Sequence, residues 1–131
     1  MDANVVLRFL TQDHPARSKA ATALFAKAKN REVTLALDPV ILAEVIYNLE
    51  AYYQKSREEI ANTLLQMVTS LGVAMDPHGT VINALLRYKN QPVDFPDAWL
   101  ASLAGEQKLQ AASFDKDLDR FSDVTRHEPK A

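Results

Sequence analysis

The chain has 131 residues, of which 47% are hydrophobic and 24% are charged, and its formal net charge is −2. A length near the usual ~150 residues per domain predicts a single domain over residues 1–131, with about 124–131 as a tail. Because there is no cysteine, disulfides and thiolate zinc sites are excluded. Three widely separated glycines cannot build a phosphate-binding loop, which excludes nucleotide-binding folds of that kind.

Six helices are predicted from capping residues, prolines and apolar spacing. In chain order they begin near Asn4, Pro15, Pro39, Ser56, Pro77 and Pro96. The pairs Asp38-Pro39 and Asp76-Pro77 each place a capping side chain before a proline at the first helical position. Gly72 follows the fourth helix, where a C-terminal glycine belongs.

Three apolar runs between these helices are too short to be helical and are predicted strands, at residues 33–37, 73–75 and 109–113. Strands that alternate with helices predict an α/β fold with a parallel sheet covered on both faces. In such sheets ligands bind outside the carboxyl ends of the strands. No run approaches the ~20 apolar residues of a membrane span, and no leader sequence is recognisable, so we expect a soluble, cytoplasmic protein without a membrane contact.

Four acidic residues fall at predicted strand ends and helix starts. Asp2 is expected at the end of a first strand, Glu44 lies on the third helix among apolar residues, Asp97 lies in the first turn of the last helix, and Asp115 follows the last strand. Alone, Asp97 could be a helix cap, Asp115 a turn residue and Asp2 part of the chain end. Glu44 is expected to be buried on an apolar helical face with no Lys or Arg within a turn, so it needs a distant or metal partner. If they converge, they cannot all stay ionised without a cation, and an all-oxygen ligand set favours Mg²⁺ or Mn²⁺.

The same residues lie in motifs that resemble those of PIN-domain ribonucleases, in particular VapC toxins. Residues 2–10 resemble the opening Asp-Thr-Asn-Val-Leu-Leu-Arg motif, and residues 42–49 resemble the second acidic motif. Residues 94–101 resemble the third motif, in which an acid precedes Ala-Leu-Ile-Ala, and residues 113–117 resemble the closing Thr-Phe-Asp motif. Four motifs in order, reaching to about Asp123, make the resemblance specific.

The resemblance implies a three-layer α/β/α PIN-like domain around a central parallel sheet and an endoribonuclease that uses Mg²⁺ or Mn²⁺. It implies metal-binding and catalytic roles for Asp2, Glu44, Asp97 and Asp115, with Asn4 bracing the loop that carries Asp2. Expected partners are an RNA substrate, often tRNA, a VapB-type antitoxin and a second copy in a homodimer. Arg8 follows the first acid and could reach a phosphate or form a surface salt bridge.

Two departures from the family pattern stand out. Ala3 replaces the usual Thr or Ser, and only Met1 precedes Asp2, where relatives carry an apolar first strand. The first strand is therefore predicted to be truncated unless the true start lies upstream. A truncated central strand would let the Asp2 carboxylate move, so we expect the 131-residue form to be marginally stable and a poor nuclease.

Other functions fit less well. A phosphoacceptor receiver domain needs paired acids after its first strand and a lysine after its last, which this sequence lacks. A haloacid-dehalogenase-like phosphatase needs Asp-x-Asp, and position 4 is asparagine. The alternative that stays open is a degenerate PIN domain that acts as a catalytically weak RNA- or protein-binding module.

Overall fold

The computed structural model describes residues 1–131. The chain forms two compact units, Met1–His78 and Gly79–Ala131. The single domain over residues 1–131 stays a prediction. The elements in order are α1 (Ala3–Thr11), α2 (Pro15–Lys29), β1 (Leu35–Ala36), α3 (Pro39–Ala51), α4 (Arg57–Val68), β2 (Val73–Ala74), α5 (His78–Asn90), α6 (Phe95–Gln107), β3 (Gln110–Ala112), a 3₁₀ helix (Lys116–Arg120) and β4 (Thr125–His127).

All six predicted helices are confirmed, and two predicted caps are visible as hydrogen bonds. The Asp38 carboxylate accepts from the backbone N of Val40 at 2.7 Å at the start of α3. The Ser56 hydroxyl accepts from the backbone N of Glu59 at 3.2 Å at the start of α4. These side chains satisfy amides that have no partner within the helix, so the local sequence determines where each helix begins.

In the unit Met1–His78, β1 and β2 pair in parallel, with Leu35 opposite Val73 and Ala36 opposite Ala74. Helix α1 packs against α2 and α3, and α4 packs against α3 and β2. Gly72 has a positive φ of 85° in the turn before β2, and a Cβ atom there would overlap the Ala28 carbonyl. The largest fully buried side chains of this unit are Val6, Leu42, Val45, Ile60, Leu64 and Val68.

In the unit Gly79–Ala131, β3 and β4 pair in parallel and α6 packs against β3. We predicted a tail over residues 124–131, but Thr125–His127 form the strand β4. The chain that returns to β4 is held by Arg87 of α5, which forms an ion pair with Asp123 and places its guanidinium 4.8 Å from the centre of the Phe121 ring.

The strands are shorter than predicted and form two separate two-stranded sheets. Residues 33–37, 73–75 and 109–113 contribute only two or three strand residues each, and no strand precedes α1. The chain is nevertheless an α/β fold with parallel strands, as the alternation of elements predicted. The three-layer α/β/α arrangement stays a prediction. None of the helices is both long and apolar enough to cross a membrane.

Candidate active site

Asp2 lies at the start of α1, not at the end of a strand. Its Oδ1 atom accepts a hydrogen bond from the backbone N of Val5 at 3.1 Å, and the Met1 ammonium donates to the Ala36 carbonyl of β1 at 2.7 Å. We expected a mobile carboxylate, but helix capping and the Met1 contact hold this end of the chain. The exposed Asn4 side chain forms no hydrogen bond, so the Val5 amide, and not Asn4, braces Asp2. The Oδ2 atom of Asp2 stays free to bind a ligand.

Glu44 is exposed on α3, although its neighbours Val45 and Ile46 are buried. Successive helical residues point about 100° apart, so apolar neighbours in sequence do not place a side chain on the apolar face. Val40 and Tyr47, one turn to either side of Glu44, are 75% and 64% exposed. The expectation that Glu44 needs a partner because it is buried is therefore wrong, and its carboxylate is open to solvent.

Asp97 is half-buried in the first turn of α6, and its surroundings disfavour its charge. Burial raises the pKa of the Asp97 carboxyl above its ordinary value, and the negative charges of Asp115, Asp94 and Asp117 raise it further. Asp94 precedes α6 but caps no amide with its side chain. The fold thus brings Asp115, Asp94 and Asp117 within electrostatic reach of Asp97, and the sequence analysis assigned no role to Asp94 or Asp117.

Asp115 is exposed and lies at the start of the 3₁₀ helix Lys116–Arg120. Its Oδ1 atom accepts from the backbone N of Asp117 at 2.8 Å, and its own backbone N donates to the Ser113 hydroxyl at 2.9 Å. Of the neighbouring acids, Asp117 has a cationic partner, since Arg120 approaches it to 3.2 Å. One oxygen of Asp115 is thus used to shape the turn, and the other is available.

Asp97 and the acids that raise its pKa have the ligand atoms of a site for Mg²⁺ or Mn²⁺, but they are not arranged as a preformed metal site. Their ligand atoms are all carboxylate oxygens, which Mg²⁺ and Mn²⁺ prefer. No three or more His, Asp or Glu side chains stand close enough together to hold a metal ion. The raised pKa of Asp97 and the absence of a three-ligand group are compatible. Charges influence a pKa over a Debye length of roughly 10 Å, whereas metal–oxygen bonds span about 2.0–2.6 Å. Uncompensated negative charge is therefore present around Asp97, although no set of three ligands is arranged there to hold an ion.

A recess of about 430 Å³ opens beside Asp2 and is lined also by Asn4, Arg8 and Arg17. Arg8 is not a free cation, because its guanidinium pairs with Asp13 at 2.7 Å. The salt bridge that the sequence offered as one reading of Arg8 is therefore the observed one. Arg17 of α2 is exposed, and its side chain forms no ion pair. Sequence reasoning missed Arg17, since an arginine in the first turn of a polar helix carries no signal of its own.

A protein-family model described as the PIN domain matches residues 1–124 of this chain. The match covers almost the whole sequence, includes all four predicted acids and ends just before β4. No match was found among curated proteins or among solved structures. Membership of this family supports a nuclease-type function, which generally depends on a divalent metal ion. The chain therefore belongs to the PIN domain family.

Proposed function

We propose that this protein is a metal-dependent endoribonuclease and the VapC-type toxin of a VapBC toxin–antitoxin pair. The observation that carries the proposal is the environment of Asp97, whose charge is disfavoured by burial and by three neighbouring carboxylates. Carboxylates gathered without enough cations are typical of sites that bind a cation or transfer protons. In a PIN domain, this arrangement supports a catalytic metal centre.

Asp97 and Asp115, together with Asp2 and Glu44, are the proposed ligands of Mg²⁺ or Mn²⁺. When bound, the ion would polarise a phosphodiester oxygen and lower the pKa of a water molecule. Asp2 and Asp115 each keep one carboxylate oxygen fixed by a backbone amide and offer the other. The exposed Glu44 would orient the attacking water. Attack of this water on the phosphorus would break the bond to the 3′ oxygen and leave a 5′-phosphate and a 3′-hydroxyl.

The recess beside Asp2 supports RNA as the substrate. Arg17 supplies a positive charge without an acidic partner, and it lines the same recess as Asp2 and Asn4. Backbone phosphates are bound chiefly by such side chains, and the contact is independent of base sequence. A local cation of this kind reconciles RNA binding with a net charge of −2. Structured RNA such as tRNA is the proposed target.

A VapB-type antitoxin and a homodimer complete the proposal, and we place the protein in the cytoplasm. Val40, Tyr47 and Tyr52, in and just after α3, are large apolar or aromatic side chains left 64–75% exposed. Val40 and Tyr47 are seven residues apart on α3 and so share one face of the helix, and exposed apolar surface of this type is typical of protein–protein contacts. This surface supports association with a second protein chain.

A second candidate is a degenerate PIN domain that binds RNA or protein without efficient cleavage. The absence of a preformed group of three ligands favours it. It differs from the first candidate in one measurable property, because it predicts RNA binding that neither requires a divalent metal ion nor leads to cleavage.

The decisive experiment incubates the full chain with total RNA in Mg²⁺ or Mn²⁺ and maps the cut sites. We expect cleavage that stops in excess EDTA and that falls by more than about 100-fold in Asp97→Asn, since removing groups that merely support metal ligands already costs about 10–100-fold. The control is Glu32→Gln, which removes one exposed carboxylate after α2 whose side chain forms no hydrogen bond or ion pair. Full cleavage in EDTA, or equal loss in both variants, would contradict the proposal.

A further inference from the structure

The segment 113–120 follows β3, carries Asp115 and includes the 3₁₀ helix Lys116–Arg120. Within it, the Asp115 amide donates to the Ser113 hydroxyl at 2.9 Å, and the Asp115 carboxylate accepts from the Asp117 amide at 2.8 Å. These hydrogen bonds join residues of the same turn and fix its local conformation. Phe114 is 72% exposed, so hydrophobic packing does not hold the tip of the segment. Leu118 is fully buried and anchors the 3₁₀ helix, so the orientation of the exposed tip depends on Leu118 and on the polar contacts at the two ends of the segment.

Arg126 of β4 makes contacts at both of those ends. Its Nη1 atom donates to the Ser113 carbonyl at 3.1 Å, at the exit of β3. Its Nε and Nη2 atoms donate to the two carboxylate oxygens of Asp119 at 3.0 and 3.1 Å, in the 3₁₀ helix. The Arg126 side chain is only 12% exposed, and β4 is itself fixed to β3, with the Ser113 amide donating to the His127 carbonyl at 3.0 Å.

The geometry of these bonds suits arginine and no other side chain. A guanidinium presents its donors in a rigid planar fork, so one side chain can hold a carboxylate with two atoms and a carbonyl with a third. Lysine would supply one charge but could not span both ends in a fixed orientation. An exposed ion pair alone contributes little to stability. A fork that joins two positions of the chain can, however, fix their relative orientation.

We propose that Arg126 is a positioning residue for the Asp115 carboxylate: by joining Ser113 to Asp119 it holds Asp115 in the orientation needed to bind the metal ion. This inference rests on the proposed function, which makes Asp115 a metal ligand. Arg126 lies beyond residues 1–124, the range matched by the family model, so membership of the family does not assign this role.

Arg120 provides a matched control within the same segment. It pairs with Asp117 at 3.2 Å inside the 3₁₀ helix, and both side chains are nearly half exposed. It has the same charge as Arg126 but forms no hydrogen bond or ion pair with a residue of β3 or β4. Removing Arg120 subtracts a surface ion pair, whereas removing Arg126 separates the ends of the segment.

The experiment compares Arg126→Met, Arg126→Lys, Asp119→Asn and Arg120→Met in the full chain. We measure Mn²⁺ affinity by calorimetry, hydrogen exchange of amides 115–120, and kcat and KM on a cleaved RNA. Arg126→Met is expected to weaken Mn²⁺ binding about tenfold and to lower kcat while KM is unchanged. Exchange at 115–120 should accelerate. Asp119→Asn should reproduce the effect and Arg126→Lys should restore part of it. Arg120→Met, which frees the charge of Asp117, should not weaken Mn²⁺ binding.

Unchanged Mn²⁺ affinity and unchanged exchange in Arg126→Met would overturn the inference. If Arg126→Met does not fold, Asp119→Asn decides, because it weakens the same fork from an exposed side chain. A wild-type chain that neither binds Mn²⁺ nor cuts RNA contradicts the proposed function instead. The exchange of amides 115–120 then still decides whether Arg126 positions Asp115.

Discussion

Asp13 and Asp97 are the same residue type in opposite environments. Asp13, in the unit Met1–His78, accepts hydrogen bonds from the Tyr53 hydroxyl at 2.6 Å, from Arg8 at 2.7 Å and from the Thr11 hydroxyl at 2.8 Å. These donors, with Tyr53 foremost, hold the pKa of Asp13 well below its usual range. Asp97 receives no such donors, and burial and like charges raise its pKa.

The difference separates a carboxylate whose charge the fold stabilises from one whose charge the fold disfavours. The fold provides Asp13 with hydrogen-bond donors from α1 and from the segment after α3, so its charge is stabilised without a ligand. For Asp97 the fold provides other carboxylates, so its charge is stabilised only when something positive is added. A shifted pKa alone does not identify a site. The direction of the shift, with its cause, distinguishes the two environments and makes Asp97 the candidate for cation binding.

The largest effect we expect is that a divalent ion stabilises the folded chain through Asp97 and not through Asp13. An ion that binds only the folded chain stabilises it by about 2.7 kcal/mol at 100 times its Kd. Mn²⁺ should therefore raise the melting temperature of the wild type and of Asp13→Asn, but not of Asp97→Asn. A Mn²⁺ response that survives in Asp97→Asn would remove Asp97 from the metal site.

The pH dependence of stability should have opposite signs at the two residues. A lowered folded-state pKa means that Asp13 contributes stability above its ordinary pKa of about 3.9, and this is lost as the pH falls through the folded-state value. A raised pKa means that Asp97 favours the folded state when protonated, and this benefit is lost as the pH rises through its folded-state value.

Thermal melts without metal ions, from pH 7 to acid, test these signs. At pH 7 Asp13→Asn should melt below the wild type, because a carboxamide cannot accept from Arg8 and Tyr53 as a carboxylate does. Asp97→Asn should melt above it, and both differences should shrink in acid. If the two variants shift the melting temperature in the same direction at pH 7, the contrast between the sites is wrong.

The smallest expected effect compares the paired Arg8 with the unpaired Arg17. Arg17→Ala should weaken RNA binding and flatten its dependence on salt by about one unit of slope, since one phosphate contact is lost. Arg8→Ala should instead lower stability by freeing Asp13. The measurement is RNA affinity over a series of salt concentrations. An unaltered slope in Arg17→Ala would show that Arg17 does not contact phosphate.

Local sequence signals were sufficient for the helices and insufficient for the strands. Caps such as Asp38 and Ser56 act on amides two or three residues away, so their effect can be derived from adjacent residues. The strand Thr125–His127 has no apolar alternation and was predicted as a tail. It forms because β3 offers an edge to pair with, and that edge exists only after the chain has folded.

The sequence by itself determined the α/β class, the helix starts and the acids to consider, because these depend on residue type and short spacing. Only the tertiary structure decided what each acid experiences. Asp13 and Tyr53 are 40 residues apart, yet their side chains meet at 2.6 Å, whereas Glu44 lies between apolar neighbours in sequence and faces solvent. Burial and electrostatic interactions depend on distances in space, and those distances are set by how the elements pack.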